Sequence, residues 1–363
     1  MPVQNRWRWS ILLIVGGLLY ACKSPTPLPE SVQFDPEQVP YAQLSDYHFF
    51  TWKKENMLPN ERVIPYEPIT PLFSDYAFKS RYVWIAPGSQ ASIDSAGVLQ
   101  FPDHTVLIKH FYYPADFRHK DENWDLVETR LLVKKEGQWS AYTYIWNEQD
   151  TEAALSPIGD LQQVHWKDEK GIAQMADYLI PNKNQCKSCH QRDQELLPIG
   201  TKAAYLNWSY AYSPTQTANQ LHYWQASGLL APDDFEKFAA LPDWDDPNSA
   251  SLEDRALAYL EVNCGHCHHP KGSAHTTGLY LGMDFKSHPH QLGYCKPPVA
   301  AGKGSGGRKY SIVPGQPDSS ILAYRMESND PGIMMPEIGR AVAHDEGIAL
   351  IREWIRSLEA GCK

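Results

Sequence analysis

The chain has 363 residues, 42% hydrophobic and 12% aromatic, enough for two or three domains with buried cores. Its 33 basic and 43 acidic side chains give a formal charge of −10, which excludes the broad cationic surface on which nucleic-acid affinity rests. An acidic exterior suits solubility, or docking to a partner with a basic face.

In chain order, residues 1–21 place Arg6 and Arg8 ahead of an apolar run from Ile11 to Leu19, and Leu19-Tyr20-Ala21-Cys22 follows. The run is too short for a stable transmembrane span and has the flanks of an export signal. The tetrapeptide resembles a bacterial lipobox, so Cys22 is expected to be lipidated and to become the mature N-terminus. Loss of the leader removes two arginines and no acid, leaving 31 basic against 43 acidic residues, or −12. Lys23 and Ser24 lack the aspartate that retains many lipoproteins at the inner membrane, which favours the outer membrane or a periplasmic face. Residues 22–40 are Pro-rich and read as a tether.

Residues 41–170 read as a β-rich domain. Thr105 to Phe111, Thr129 to Val133 and Ser140 to Trp146 are short β-branched or aromatic runs bounded by turn residues. A polar loop with Gly137 joins the last two as a hairpin. An antiparallel β-sandwich-like arrangement is expected. His48, His104, His110, His119 and His165 show no metal-ligand spacing and are assigned no ligand role.

Cys186-Lys187-Ser188-Cys189-His190 falls in a region spanning 171–245, and Cys264-Gly265-His266-Cys267-His268 in one spanning 246–363. Each is C-x-x-C-H, the pattern for covalent attachment of c-type haem, in which both thiols bond the porphyrin and the histidine ligates iron. Either C-x-x-C alone would also suit half a zinc site or a redox pair. Two copies ending in His, in a chain with an export signal, point to two covalently bound haem c groups. Cys186, Cys189, Cys264 and Cys267 are the attachment residues, with His190 and His268 as iron ligands.

The first motif follows Pro181 and a polar run, without a lead-in helix. His222, Met175, Met283 or an open position remain as choices for its sixth ligand. The second motif follows a predicted helix, capped by Ser251 and running from Arg255 to Val262. Beyond it lie Met334-Met335-Pro336-Glu337 and a helical spacing of Ile348, Ile351, Trp354, Ile355 and Leu358. That order resembles a class I cytochrome c domain, and the resemblance implies Met335 as sixth ligand, with Met334 and Met326 as fallbacks. A thioether raises the iron potential relative to a second imidazole. Gly302 to Gly307 lacks phosphate-loop spacing and reads as a flexible loop; Asp243 to Asn248 reads as a linker. Cys295 and Cys362 remain as an even pair, expected to form a disulfide in an oxidising compartment.

Pro71-Leu72-Phe73-Ser74-Asp75-Tyr76, Phe101-Pro102-Asp103-His104-Thr105, Glu128-Thr129-Arg130-Leu131-Leu132, both haem motifs and Met334 to Arg340 resemble a bacterial family of exported dihaem c-type cytochromes. The resemblance implies an α+β multidomain chain, its β-domain followed by a mainly α-helical dihaem region. It implies haem and export and names no substrate. Three readings follow: an electron carrier between periplasmic or outer-membrane redox partner proteins; a dihaem peroxidase or small-molecule dehydrogenase with an open first haem; and a surface glycan-binding module with accessory haems.

Overall fold

The computed structural model describes residues 30–53, 56–359 and 361–362. Cys22, the leader and the start of the tether lie outside them. Six strands form one antiparallel meander in which each pairs with its sequence neighbour: β1 (Ile64–Pro65), β2 (Phe78–Ile85), β3 (Thr105–Pro114), β4 (Trp124–Lys135), β5 (Gln138–Trp146) and β6 (Ala153–Leu155). The β4–β5 turn has positive φ at both Glu136 (53°) and Gly137 (76°). That conformation matches the right-handed twist of the flanking strands and requires a residue tolerant of left-handed backbone.

Alternation along the strands sends apolar side chains to both faces. Trp84, Val106, Ile108, Leu131, Val133 and Tyr144 pack with Leu44, Tyr47 and Phe49 on one face. On the other, Val83, Ile85 and Leu107 pack against α2 (Ala203–Leu206) and α3 (Gln220–Ala226), through Leu206, Leu221 and Trp224. Further along this second face, Phe111 and Tyr113 are covered by the hairpin of β7 (Asp160–Lys167) and β8 (Ala173–Ile180), through Trp166, Tyr178 and Ile180. The expected sandwich is therefore corrected to one six-stranded sheet, covered by a segment, two helices and a hairpin; among the described residues no second sheet exceeds two strands. Two-sided alternation demands burial of both faces and does not specify what covers them.

Strand structure continues beyond the expected end of the β-rich domain at residue 170, because β8 runs to Ile180. The first α-helix among the described residues is α1 (Lys183–His190), which contains the motif and is opened by an Asn182–Gln185 capping box. Asn182 Oδ1 accepts from the amides of Asn184 and Gln185, each at 3.0 Å.

The C-terminal part packs α4 (Leu252–Asn263), α5 (Ile321–Glu327) and α6 (Asp345–Ser357) around Leu257, Leu260, Leu350, Ile351, Trp354 and Ile355. Ser251 Oγ caps α4, accepting from the Asp254 amide at 3.1 Å. α4 and α6 meet at Gly347, where any Cβ would collide with the Tyr259 ring. Tyr205 and Leu241 pack on Ala258 and Val262, joining α4 to the preceding region. Cys295 and Cys362 stand at disulfide distance, their Cα atoms 5.3 Å apart. The described chain thus combines a large N-terminal antiparallel sheet with helices placed mainly toward the C-terminus. No helix among the described residues is long and apolar enough to cross a membrane.

Candidate functional site

The two C-x-x-C-H motifs open on one cavity of about 970 Å³, which lies between the second face of the sheet and the C-terminal part. α1 carries the first motif. The second begins where α4 ends, with Cys264 at the helix C-cap. Gly265 suits the close approach there, since a Cβ would press on the Leu281 and Glu261 carbonyls.

The motifs also touch one another. Ligand atoms of Cys189, His266 and Cys267 all lie within 4.8 Å of one another. Ser273 Oγ donates to the Ser188 carbonyl at 3.0 Å, and Lys271 pairs with Asp193 at 2.9 Å. A hydrogen bond between Cys189 and Cys267 raises the pKa of the first thiol and lowers that of the second. Burial pushes Cys264 up to about 12 and raises Cys186. None of the four is in a disulfide.

His190 and His268 are held alike. His190 Nδ1 lies 2.8 Å from the Leu197 carbonyl, and His268 Nδ1 lies 3.2 Å from that of Leu279. A carbonyl only accepts, so the proton is assigned to Nδ1 and the lone pair to Nε2. Burial lowers the pKa of His190 to about 4 and lowers that of His268, favouring the neutral imidazole a metal requires.

Met335 lines the cavity. Met326 also reaches it but belongs to the C-terminal core, and Met334 is buried away from the lining. Arg340 braces this loop, donating to the carbonyls of Met335, Val342, Arg325, Met326 and Ser328 at 2.8–3.2 Å. From the sheet side, Asp75 Oδ1 accepts from the amides of Ala341 and Val342 at 2.6 and 2.9 Å. Phe73 stacks on His344 with ring centroids 4.2 Å apart, and the Tyr76 hydroxyl donates to Glu346 at 2.9 Å. Residues 73–76 thus clamp the segment between Met335 and α6. Asp75 and Arg340 fall in segments that carry the family resemblance, which was the only sequence signal for them.

The three residues weighed as sixth ligand of the first motif are not on the cavity lining. His222 is exposed and edge-on to Phe235, Met175 is 56% exposed on β8, and Met283 packs beside the C-terminal core. The sheet instead contributes Arg81, Lys109 and Arg130, directly opposed on β2, β3 and β4. Arg81 pairs with Glu67 at 2.9 Å, and Arg130 Nε donates to Glu128 at 2.8 Å. Tyr178 donates to the same carboxylate at 2.7 Å. Lys109 Nζ sits 4.7 Å from the Phe111 centroid. Burial, followed by the charges of Arg81, Lys79 and Arg130, drives its pKa well below the usual lysine value. Sequence reasoning missed this row because it exists only in the strand register.

No protein-family model, curated protein or solved structure matches the chain. Four thiols, two imidazoles with unprotonated Nε2 and a thioether on one cavity form a donor set that fits two covalently held haems. Cys189, His266 and Cys267 alone would fit three ligands of a zinc ion.

Proposed function

We propose that the chain is a dihaem c-type cytochrome, exported and lipid-anchored through Cys22, that carries single electrons between redox partner proteins. One observation carries the reading: two C-x-x-C-H motifs, far apart in sequence, share one cavity and hold their histidines in the same tautomer. Haem bound there would supply a one-electron iron couple. Cys186, Cys189, Cys264 and Cys267 would anchor the porphyrins and His190 and His268 would ligate iron. Met335 would close the second iron with a soft thioether. The motif cysteines are half-buried, so the charge change accompanying electron transfer would be felt by nearby protein groups.

Two other readings each have a supporting observation. The positions of His222, Met175 and Met283 off the cavity favour an open first haem, and with it a peroxidase or small-molecule dehydrogenase. The Cys189–His266–Cys267 cluster favours zinc, but it supplies only three of the four protein ligands typical of structural zinc. It also gives His190, His268 and most of the cavity no role. The aromatic side chains that sugar stacking would need are in large part committed to cores, among them Tyr47, Phe49, Trp84, Tyr144 and Trp166, so the glycan reading is not developed.

The test is the mass of the mature chain after expression with a cytochrome c maturation system. Two haem additions, surviving denaturation, are expected. Fewer than two overturns the proposal, and one zinc per chain by elemental analysis supports the alternative. In a chain of correct mass, high-spin signals with peroxide turnover would place the enzyme ahead of the carrier.

A further inference from the structure

Arg81, Lys109 and Arg130 sit side by side on three neighbouring strands, each directly opposite the next, and all three line the cavity. Like charges in that arrangement destabilise a sheet. Two carboxylates relieve it only in part, because Glu67 takes Arg81 and Glu128 takes Arg130. Lys109 has neither a hydrogen bond nor an ion pair among the described residues, and its Nζ lies 4.7 Å from the Phe111 ring centroid. Lys79, next along the same face, adds another cation and donates to the Ala77 carbonyl at 2.9 Å. The wall therefore has a cationic surplus in a chain of net charge −10. A half-buried ammonium that has no partner calls for an anion to meet it.

The row lies on the first motif's side of the cavity: α1, which carries that motif, packs against β5, the strand paired with β4. Arg325 and Arg340 line the cavity beside Met335 instead. A porphyrin anchored at Cys186 and Cys189 would bring two carboxylates on short flexible arms into the cavity that this row lines.

We propose that Arg81, Lys109 and Arg130 form the seat for the propionate carboxylates of the haem carried by the first motif, with Lys109 as its unpaired cation. The proposal rests on the haem reading. It makes the β-sheet one wall of that haem pocket and a determinant of its potential, since a cation beside the propionates disfavours the more positive ferric state.

The experiment is a redox titration of the holoprotein, with electron paramagnetic resonance and intact mass on the same samples. Lys109→Leu is expected to keep two haems and an unchanged spin state and to shift one midpoint potential downward, while Lys109→Arg returns it toward wild type. Adding Met335→His, which should move the other haem, assigns the shifted potential to the first motif. An unshifted potential in a chain of correct mass overturns the proposal alone. A new high-spin signal in Lys109→Leu also overturns it, because Lys109 would then be an iron ligand. So would a wild-type response to added acetate that disappears in Lys109→Leu, which would identify the row as a site for dissolved anions. A mass lacking haem overturns the haem reading and this proposal with it.

Discussion

Arg340 is the residue on which the geometry of the Met335 loop depends most. Its guanidinium satisfies carbonyls from α5, from the turn after it and from the loop itself, so removing it strands several acceptors at once. Arg340→Leu is expected to cost about 3 kcal/mol, read as a lowered denaturation midpoint. On the proposed dihaem reading, Met335→Ala should expose the second iron to cyanide or carbon monoxide and abolish the weak far-red sulfur-to-iron band of the oxidised protein. Met334→Ala should leave that band intact while lowering stability by about 2–3 kcal/mol, because Met334 is buried but lies off the cavity lining. Loss of the band in Met334→Ala rather than Met335→Ala would reassign the ligand. The cysteines and histidines of the two motifs are legible in the sequence because a pentapeptide encodes them. Lys109 is not, since nothing within a few residues of it marks it as facing a cavity.

At the level of elements, β3, β4, β5, α4 and α6 follow from patterns confined to each segment. The β-branched and aromatic run in Thr105–Pro114 and the helical spacing in Asp345–Ser357 are properties of the local chain. β8 shows where such reasoning fails. Ala173–Ile180 contains Ala, Gln, Met and Leu, which favour helix, yet Ala176, Tyr178 and Ile180 are buried with period two and the pairing with β7 decides the outcome. Two element-scale predictions follow from the C-terminal part. Gly347→Ala should destabilise by about 1–3 kcal/mol, because the added methyl meets the Tyr259 ring at the α4–α6 crossing; thermal denaturation reads it directly. Replacing Cys295 and Cys362 by Ser opens a link across 67 residues, a loss of about 4 kcal/mol by the chain-entropy estimate. Free thiols at both positions in the non-reduced peptide map would remove that link from the account.

For the whole molecule, the decisive contacts join residues that no local pattern connects: Asp75 meets the amides of Ala341 and Val342 across more than 260 residues. His344 is the titratable part of this junction, packed between Phe73 and Tyr259. Its Nδ1 lies 3.0 Å from the Tyr259 hydroxyl and its Nε2 3.6 Å from Glu346, with Lys79 as the opposing charge. Burial lowers its pKa to about 4. An unfolded histidine titrates near 6.5, so between those values the unfolded chain binds more protons and stability falls as pH falls. The loss is at most about 3 kcal/mol by linkage. A His344→Phe variant should show a flatter decline in denaturation midpoint between pH 6.5 and 4 than wild type; equal slopes would exclude His344 as the source. The meeting of the two motifs, finally, bears on the order of events during biogenesis. Cys189 and Cys267 come together when the chain closes around the cavity, and under the proposed export that closure takes place in an oxidising compartment. A chain that folds before its prosthetic groups are attached would bring these thiols together and could seal them as a disulfide, blocking both attachment sites at once. On the proposed reading maturation must outrun folding, and polypeptide made without the attachment machinery should accumulate as a dead-end species carrying a Cys189–Cys267 cross-link.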